Sequence, residues 1–201
     1  CQAMRHAGIG GGKRLRPLLT VAAARLFGID EERALRAGAA IEAVHVYSLI
    51  HDDLPAMDND DLRRGMPTNH KVFGEAMAIL AGDALATLAF QVLAHLPHAS
   101  DTVRVKLITE LANASGTVGG MIAGQVHDIE GEGHPPSAAL LETIHRAKTG
   151  ALLRASVRMG ALYAGANPAQ LAALTAYGEH AGLAFQIVDD ILDVESPSET
   201  L

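Results

Sequence analysis

The sequence predicts an all-α helical bundle, and three observations carry that prediction. First, 49% of the 201 residues are hydrophobic, yet only 3% are aromatic and none is Trp. Cores built from Ala and Leu pack as close helices, whereas β-sandwiches draw on aromatic and β-branched residues. Second, only 19% of residues are charged, so the chain has enough apolar surface to bury a core and is not disordered. Third, apolar residues recur at helical spacing in six segments separated by caps and breakers, with no convincing strand. Length and composition fit one domain over 1–201.

The elements follow in order. Gly10-Gly11-Gly12-Lys13-Arg14-Leu15-Arg16-Pro17 reads as a glycine loop leading into a helix, with Pro17 in its first turn. That helix runs to about Phe27 and stops at Gly28. Asp30 caps the second helix, with Glu31 and Glu32 in its positive first turn. Its periodicity fails near Leu54, because Pro55 disfavours a helical residue before it. A polar loop over 57–69 follows, then a third helix over 74–93 that Pro97 ends. Ser100 or Asp101 caps a fourth helix reaching about Ile129. A fifth spans 137–163. Asn167-Pro168 starts a sixth that reaches about Val194, and Ser196-Pro197-Ser198 stops it.

Several classes of function are excluded. A net charge of -7 argues against a broad basic face for nucleic acid. The single cysteine, Cys1, forms no internal disulfide framework and fits a reducing, cytoplasmic setting. No uninterrupted run of 18 apolar residues predicts stable membrane insertion, and no secretory signal opens the chain. The start on Cys1 and the end shortly after the last acidic motif lead us to expect a domain truncated at both ends.

Acidic residues carry the chemistry. Asp52, Asp53, Asp58, Asp60 and Asp61 place five carboxylates within ten residues. On charge alone this is a solvated loop. However, the apolar stretch over 44–50 sets Asp52 and Asp53 at the mouth of a core helix, and carboxylates this close repel unless a cation holds them. Hard oxygen ligands in number suit Mg²⁺, which takes its remaining ligands from water and phosphate. In an unbroken helix Asp52 and Asp58 point about 120° apart; the break at Leu54-Pro55 returns Asp58 toward Asp52. A second acidic motif, Asp189-Asp190-Ile191-Leu192-Asp193, sets Asp189 and Asp193 at i and i+4 on one helix face, with Gln186 one turn earlier. Three basic motifs accompany these: Lys13-Arg14-Leu15-Arg16, Arg63-Arg64 and Lys148-Thr149. Each alone reads as a surface ion pair. Together they describe a helical cavity with acidic walls and a basic rim, suited to two diphosphates, one gripped through Mg²⁺ and one directly.

In this order, Gly11-Gly12-Lys13-Arg14-Leu15-Arg16-Pro17, the Asp52 to Asp58 motif with Arg63-Arg64, Lys148-Thr149-Gly150 and Asp189-Asp190-Ile191-Leu192-Asp193 resemble the trans-isoprenyl diphosphate synthase (polyprenyl synthetase) family. The stretch from Tyr47 to Ala84 looks like its bacterial farnesyl diphosphate synthase branch. The resemblance implies an isoprenoid-synthase bundle around an apolar cavity. It also implies a homodimer that condenses isopentenyl diphosphate with an allylic diphosphate, by Mg²⁺-dependent ionisation, condensation and elimination. By position, Asp52, Asp58 and Asp189 would hold three Mg²⁺ ions. Arg63, Lys148, Thr149 and Gln186 would contact the allylic substrate, and Lys13, Arg16, His45 and Arg64 the isopentenyl diphosphate. Gln125 and Asp128 match a family pair near the site.

Product length belongs to the helix below the first acidic motif. Tyr47 and Ser48 lie five and four residues before Asp52, and five residues span about 7.5 Å of helix. Tyr47 would floor a growing tail where Ser48 leaves room, which favours a C15 product with C20 as the competitor. An all-helical metal phosphohydrolase would use His51-Asp52 and His45 but leaves the second acidic motif and Lys13 to Arg16 unexplained. A non-catalytic subunit fits poorly with two intact acidic motifs, and a terpene cyclase needs no second diphosphate grip.

Overall fold

The bundle is organised around one central helix. The computed structural model describes residues 2–131, 133 and 137–195, with the side chains of Asp189, Asp190, Asp193, Val194 and Glu195 outside that description. Helices α1 (Gln2–Ile9) and α2 (Leu15–Arg25) lead into α3 (Glu31–Asp52), the central element. Asp30 caps α3 by accepting the Arg33 backbone N–H at 2.9 Å, a bond worth about 1 kcal/mol. The chain then makes strands β1 (Leu62–Arg63) and β2 (Met66–Pro67) and a short α4 (Asn69–Phe73), and returns along α3 as α5 (Glu75–Ala94). Helices α6 (Asp101–Ser115), α7 (Met121–Gly131) and α8 (Ala138–Ile144) follow. A π-helical turn over His145–Gly150 joins α8 to α9 (Ala151–Tyr163), and α10 (Pro168–Glu195) closes the described chain.

Burial follows from the Ala-rich faces. Ala37, Ala40, Ile41 and Val44 of α3 meet Ala89 and Leu93 of α5, Leu107 and Leu111 of α6, and Leu152, Ala155 and Met159 of α9 in one core. A second cluster joins Val46, Ile50 and Leu54 to Ala78, Ala81 and Leu85 of α5. Tyr47 packs against both clusters, so the lower half of α3 lies between two apolar masses.

The structure corrects three expectations. The helix expected from Ser100 to Ile129 is two helices, α6 and α7, because Gly116, Gly119 and Gly120 interrupt it and Gly119 takes a φ of +66°; three glycines in five residues withdraw about 1 kcal/mol each from a helix. Two short strands exist where none was expected, since Arg64 and Gly65 both adopt positive φ (54° and 74°) and close a two-residue hairpin that pairs Leu62 with Pro67. Residues 2–9 form a helix ahead of the glycine loop, where the sequence predicts none. By length and composition α5 is apolar enough to cross a bilayer, with a third of its most apolar stretch buried in the molecule; Asp83 breaks it, so it holds no uninterrupted run of 18 apolar residues, in line with the sequence. The predicted stop at Ser196-Pro197-Ser198 lies outside the described residues.

Candidate active site

Most of the site hangs from the C-terminal half of α3. The helix presents His45, Tyr47, Ser48, His51 and Asp52 to a cavity of about 350 Å³. Arg16 comes from α2, Met121, Ile122, Gln125, Val126 and Ile129 from α7, and Lys148 and Thr149 from the π turn. The lining is therefore mostly apolar with a few charged groups, Arg16, Asp52 and Lys148, among it, the usual make-up of a small-molecule site.

At the acidic side, α3 ends at Asp52 and the chain turns through Leu54-Pro55. The Asp58 backbone N–H donates to the Asp52 carbonyl at 2.9 Å, which returns the loop to the helix end. Burial raises the Asp52 carboxyl to about pH 6, with nearby Asp58 and Asp53 adding to the rise and Lys148 and Arg63 opposing it. A carboxyl that resists ionisation beside a like charge favours a cation. Among the described residues no three His, Cys, Asp or Glu side chains are grouped to hold a metal ion, so an ion held by Asp52 and Asp58 would take its other ligands from water and phosphate, as Mg²⁺ does. Asp53, the second aspartate of the tandem, has a different place. It is 3% exposed and accepts Arg63 Nε at 2.6 Å, while Arg63 also reaches Asp60 at 3.4 Å. Asp53 thus ties the β1 hairpin to the end of α3. Its carboxyl is raised, mainly by burial, against the pull of Arg63.

The basic side is equally organised. Arg16 is lowered to about 10 by burial, offset by Glu42, and its Nε has no hydrogen-bond partner among the described residues. A buried guanidinium donor without a partner is costly and fits an anion. His45 is pushed down to about 2 by burial and then by Arg16, Arg64, Arg63 and Arg14, so its imidazole is neutral among cations. Arg14 pairs with buried Glu42 at 2.7 Å, a residue the sequence reading passed over because one Glu on an apolar helix carries no signal. Arg64 donates to the Gly11 carbonyl at 2.8 Å, which joins the hairpin to the glycine loop. Lys13 is exposed on that loop.

The π turn delivers the remaining cation. Lys148 Nζ bonds Asp128 Oδ2 of α7 at 2.6 Å. A side chain at Gly124 would place its Cβ 2.6 Å from the Lys148 Cα, so α7 and the π turn approach backbone to backbone. Wide turns of this kind recur at functional sites. Asp52, Arg16, His45, Tyr47, Ser48, Lys148 and Thr149 therefore share one cavity. Arg63 and Arg64 line an adjoining small pocket, and Asp58 is exposed beside Asp52. Gln186 is half-buried on α10, which packs against α9 and the π turn; the Asp189 side chain lies outside the described residues.

Comparison with known proteins places this architecture. The polyprenyl synthetase family matches residues 1–201, and the chain belongs to that family. It is 54% identical over 202 residues to a farnesyl diphosphate synthase of Geobacillus stearothermophilus, covering all of this chain and 68% of that one. It is 50% identical to a heterodimeric geranylgeranyl pyrophosphate synthase large subunit of Arabidopsis thaliana, covering 55% of that protein. Among solved structures it resembles an FPP/GFPP synthase from Zymomonas mobilis, with a TM-score of 0.94 and 50% identity over 98% of this chain and 71% of that one.

Proposed function

We propose that this chain carries the active site of a trans-prenyltransferase that makes farnesyl diphosphate. It would join isopentenyl diphosphate to dimethylallyl and then geranyl diphosphate. The observation behind this reading is the convergence of Asp52, Lys148 and Arg16 on one apolar cavity. Relatives of both C15 and C20 type match the chain, and the C15 relative is the more identical.

Asp52 and Asp58, with Asp189 of α10, would hold Mg²⁺, three ions in all with substrate bound. When bound, Mg²⁺ neutralises charge on the departing diphosphate. Lys148, Thr149, Gln186 and Arg63 orient the allylic diphosphate. Arg16, with Lys13, His45 and Arg64, grips the second diphosphate, and neutral His45 serves as a hydrogen-bonding group there. The apolar wall of Met121, Ile122, Val126, Ile129 and Leu152 excludes water, which would otherwise quench an allylic cation. Diphosphate released in the first step is a sufficient base for the final proton, so no side-chain base is required.

Tyr47 closes the tail end of the cavity. Tyr47→Ala moves the product from C15 toward C20 and longer, as read by chromatography; an unchanged chain length removes Tyr47 as the floor. We also place the enzyme in the homodimeric class. Met77, Leu80 and Leu88 form an exposed apolar stripe on α5 at helical spacing, as a second copy of the chain requires. The direct test incubates the protein carrying this chain with isopentenyl and dimethylallyl diphosphates and Mg²⁺. A C15 diphosphate is the expected product; absence of any elongated prenyl chain overturns the reading.

A further inference from the structure

Tyr47 does not stand alone in the lower cavity. One turn further along α3, the His51 ring meets the Tyr47 ring edge-on, with centroids 5.7 Å apart and planes at 67°. His51 leaves α3 for α5. Its Nε2 lies 3.1 Å from the Ile79 carbonyl oxygen and 4.0 Å from Asp83 Oδ1. The imidazole fits there because α5 carries no side chain at Gly82. A Cβ on Gly82 would fall within 2.6 Å of His51 Cδ2 and nearer still to Nε2, and the three closest atoms all belong to this ring. His51 also lines the cavity beside Tyr47 and Asp52.

We propose that His51, seated in the notch at Gly82, is a positioning residue that fixes the Tyr47 ring and thereby sets the length at which chain growth stops. The inference rests on the prenyltransferase reading and deepens it. Product length then depends on two helices: α3 supplies the floor, and α5 supplies the socket that keeps the floor from swinging. An aromatic edge contact and a hydrogen bond to a backbone carbonyl together hold a ring more firmly than packing alone. Tyr47 itself has no hydroxyl hydrogen bond among those described, so this contact is the directional restraint on its ring.

The test compares wild type, His51→Ala, Gly82→Ala and the double variant, reading the ratio of C20 to C15 product by chromatography. The ratio is internal to each reaction, so a general loss of rate does not move it. Both single variants raise the ratio by roughly fivefold, the scale of one lost aromatic pair. Gly82→Ala does so without touching Tyr47, because the new methyl expels the imidazole from its socket. Alanine also suits a helix interior better than glycine, so this variant keeps α5 intact. In the double variant no ring remains to be displaced, and the ratio matches that of His51→Ala alone. Equal ratios in wild type and Gly82→Ala overturn the brace even where His51→Ala is too slow to assay, as do two effects that multiply. Failure of wild type to elongate any prenyl chain overturns the enzymatic reading itself, and the brace with it.

Discussion

His45 shows how a single residue is tuned by its surroundings. Burial, and after it four arginines, keep its imidazole neutral in the folded chain, with a pKa of about 2 against 6.5 for the ordinary side chain. The folded value is depressed, so the contribution is fully present above pH 6.5 and is lost progressively as the unfolded chain gains a proton that the folded chain refuses. His45→Gln removes that penalty. Relative to wild type, its unfolding free energy should gain about 1 kcal/mol per pH unit between pH 6 and pH 4, measured by urea titration; parallel pH profiles would show that His45 accepts its proton when folded. Asp52 has the opposite sign, since its raised carboxyl binds a proton between about pH 6 and the ordinary 3.8, which favours the folded state as pH falls. The comparison with His45→Gln cancels this term. At the same scale, Asp52→Ala should lower turnover by at least about 100-fold while helical circular dichroism is retained. Wild-type turnover in that variant would remove the acidic side from the chemistry.

At the scale of elements, the π turn positions Lys148, and its spacing from α7 depends on Gly124. Gly124→Ala brings a Cβ onto the Lys148 backbone, so α7 and the turn must separate. We expect a rise of about tenfold in KM for the allylic diphosphate together with a loss of about 1–3 kcal/mol of stability. Unchanged KM would show that Lys148 keeps its place without this contact. The limits of sequence reading lie here too. Caps were legible because their chemistry is local: Asp30 and Ser100 each accept a backbone N–H at the start of their helices, and Asn167 exchanges bonds with Gln170; Ser137 caps its helix in the same way. The break between α6 and α7 falls at Gly116, Gly119 and Gly120, inside the stretch whose apolar spacing predicts one helix to about Ile129. The π turn was not legible at all. Its six residues carry no spacing signal that sets them apart from the single helix read over 137–163. In the same way, no spacing in the sequence distinguishes Asp53, bound to Arg63, from Asp52, which faces the cavity.

For the whole molecule, α5 leaves one apolar stripe uncovered. Its inner face packs on α3, and Met77, Leu80 and Leu88 remain 52%, 59% and 38% exposed. Under the homodimer reading, Leu80→Arg should yield monomers in sedimentation velocity, because a guanidinium at an apolar seam costs several kcal/mol of association. A dimer that survives this change would place the seam elsewhere. The bundle itself was foreseeable from Ala and Leu content with sparse aromatics, since helices that approach through small residues leave few other arrangements.

Because Tyr47, His51 and Asp52 all ride on α3, the end stop for the hydrocarbon and the anchor for its charged head are cut into the same rigid rod. Thermal sliding of that rod against its neighbours carries both marks together. The spacing between head and stop is therefore fixed within one helix, and breathing of the bundle reaches product size only through the α5 notch that seats His51.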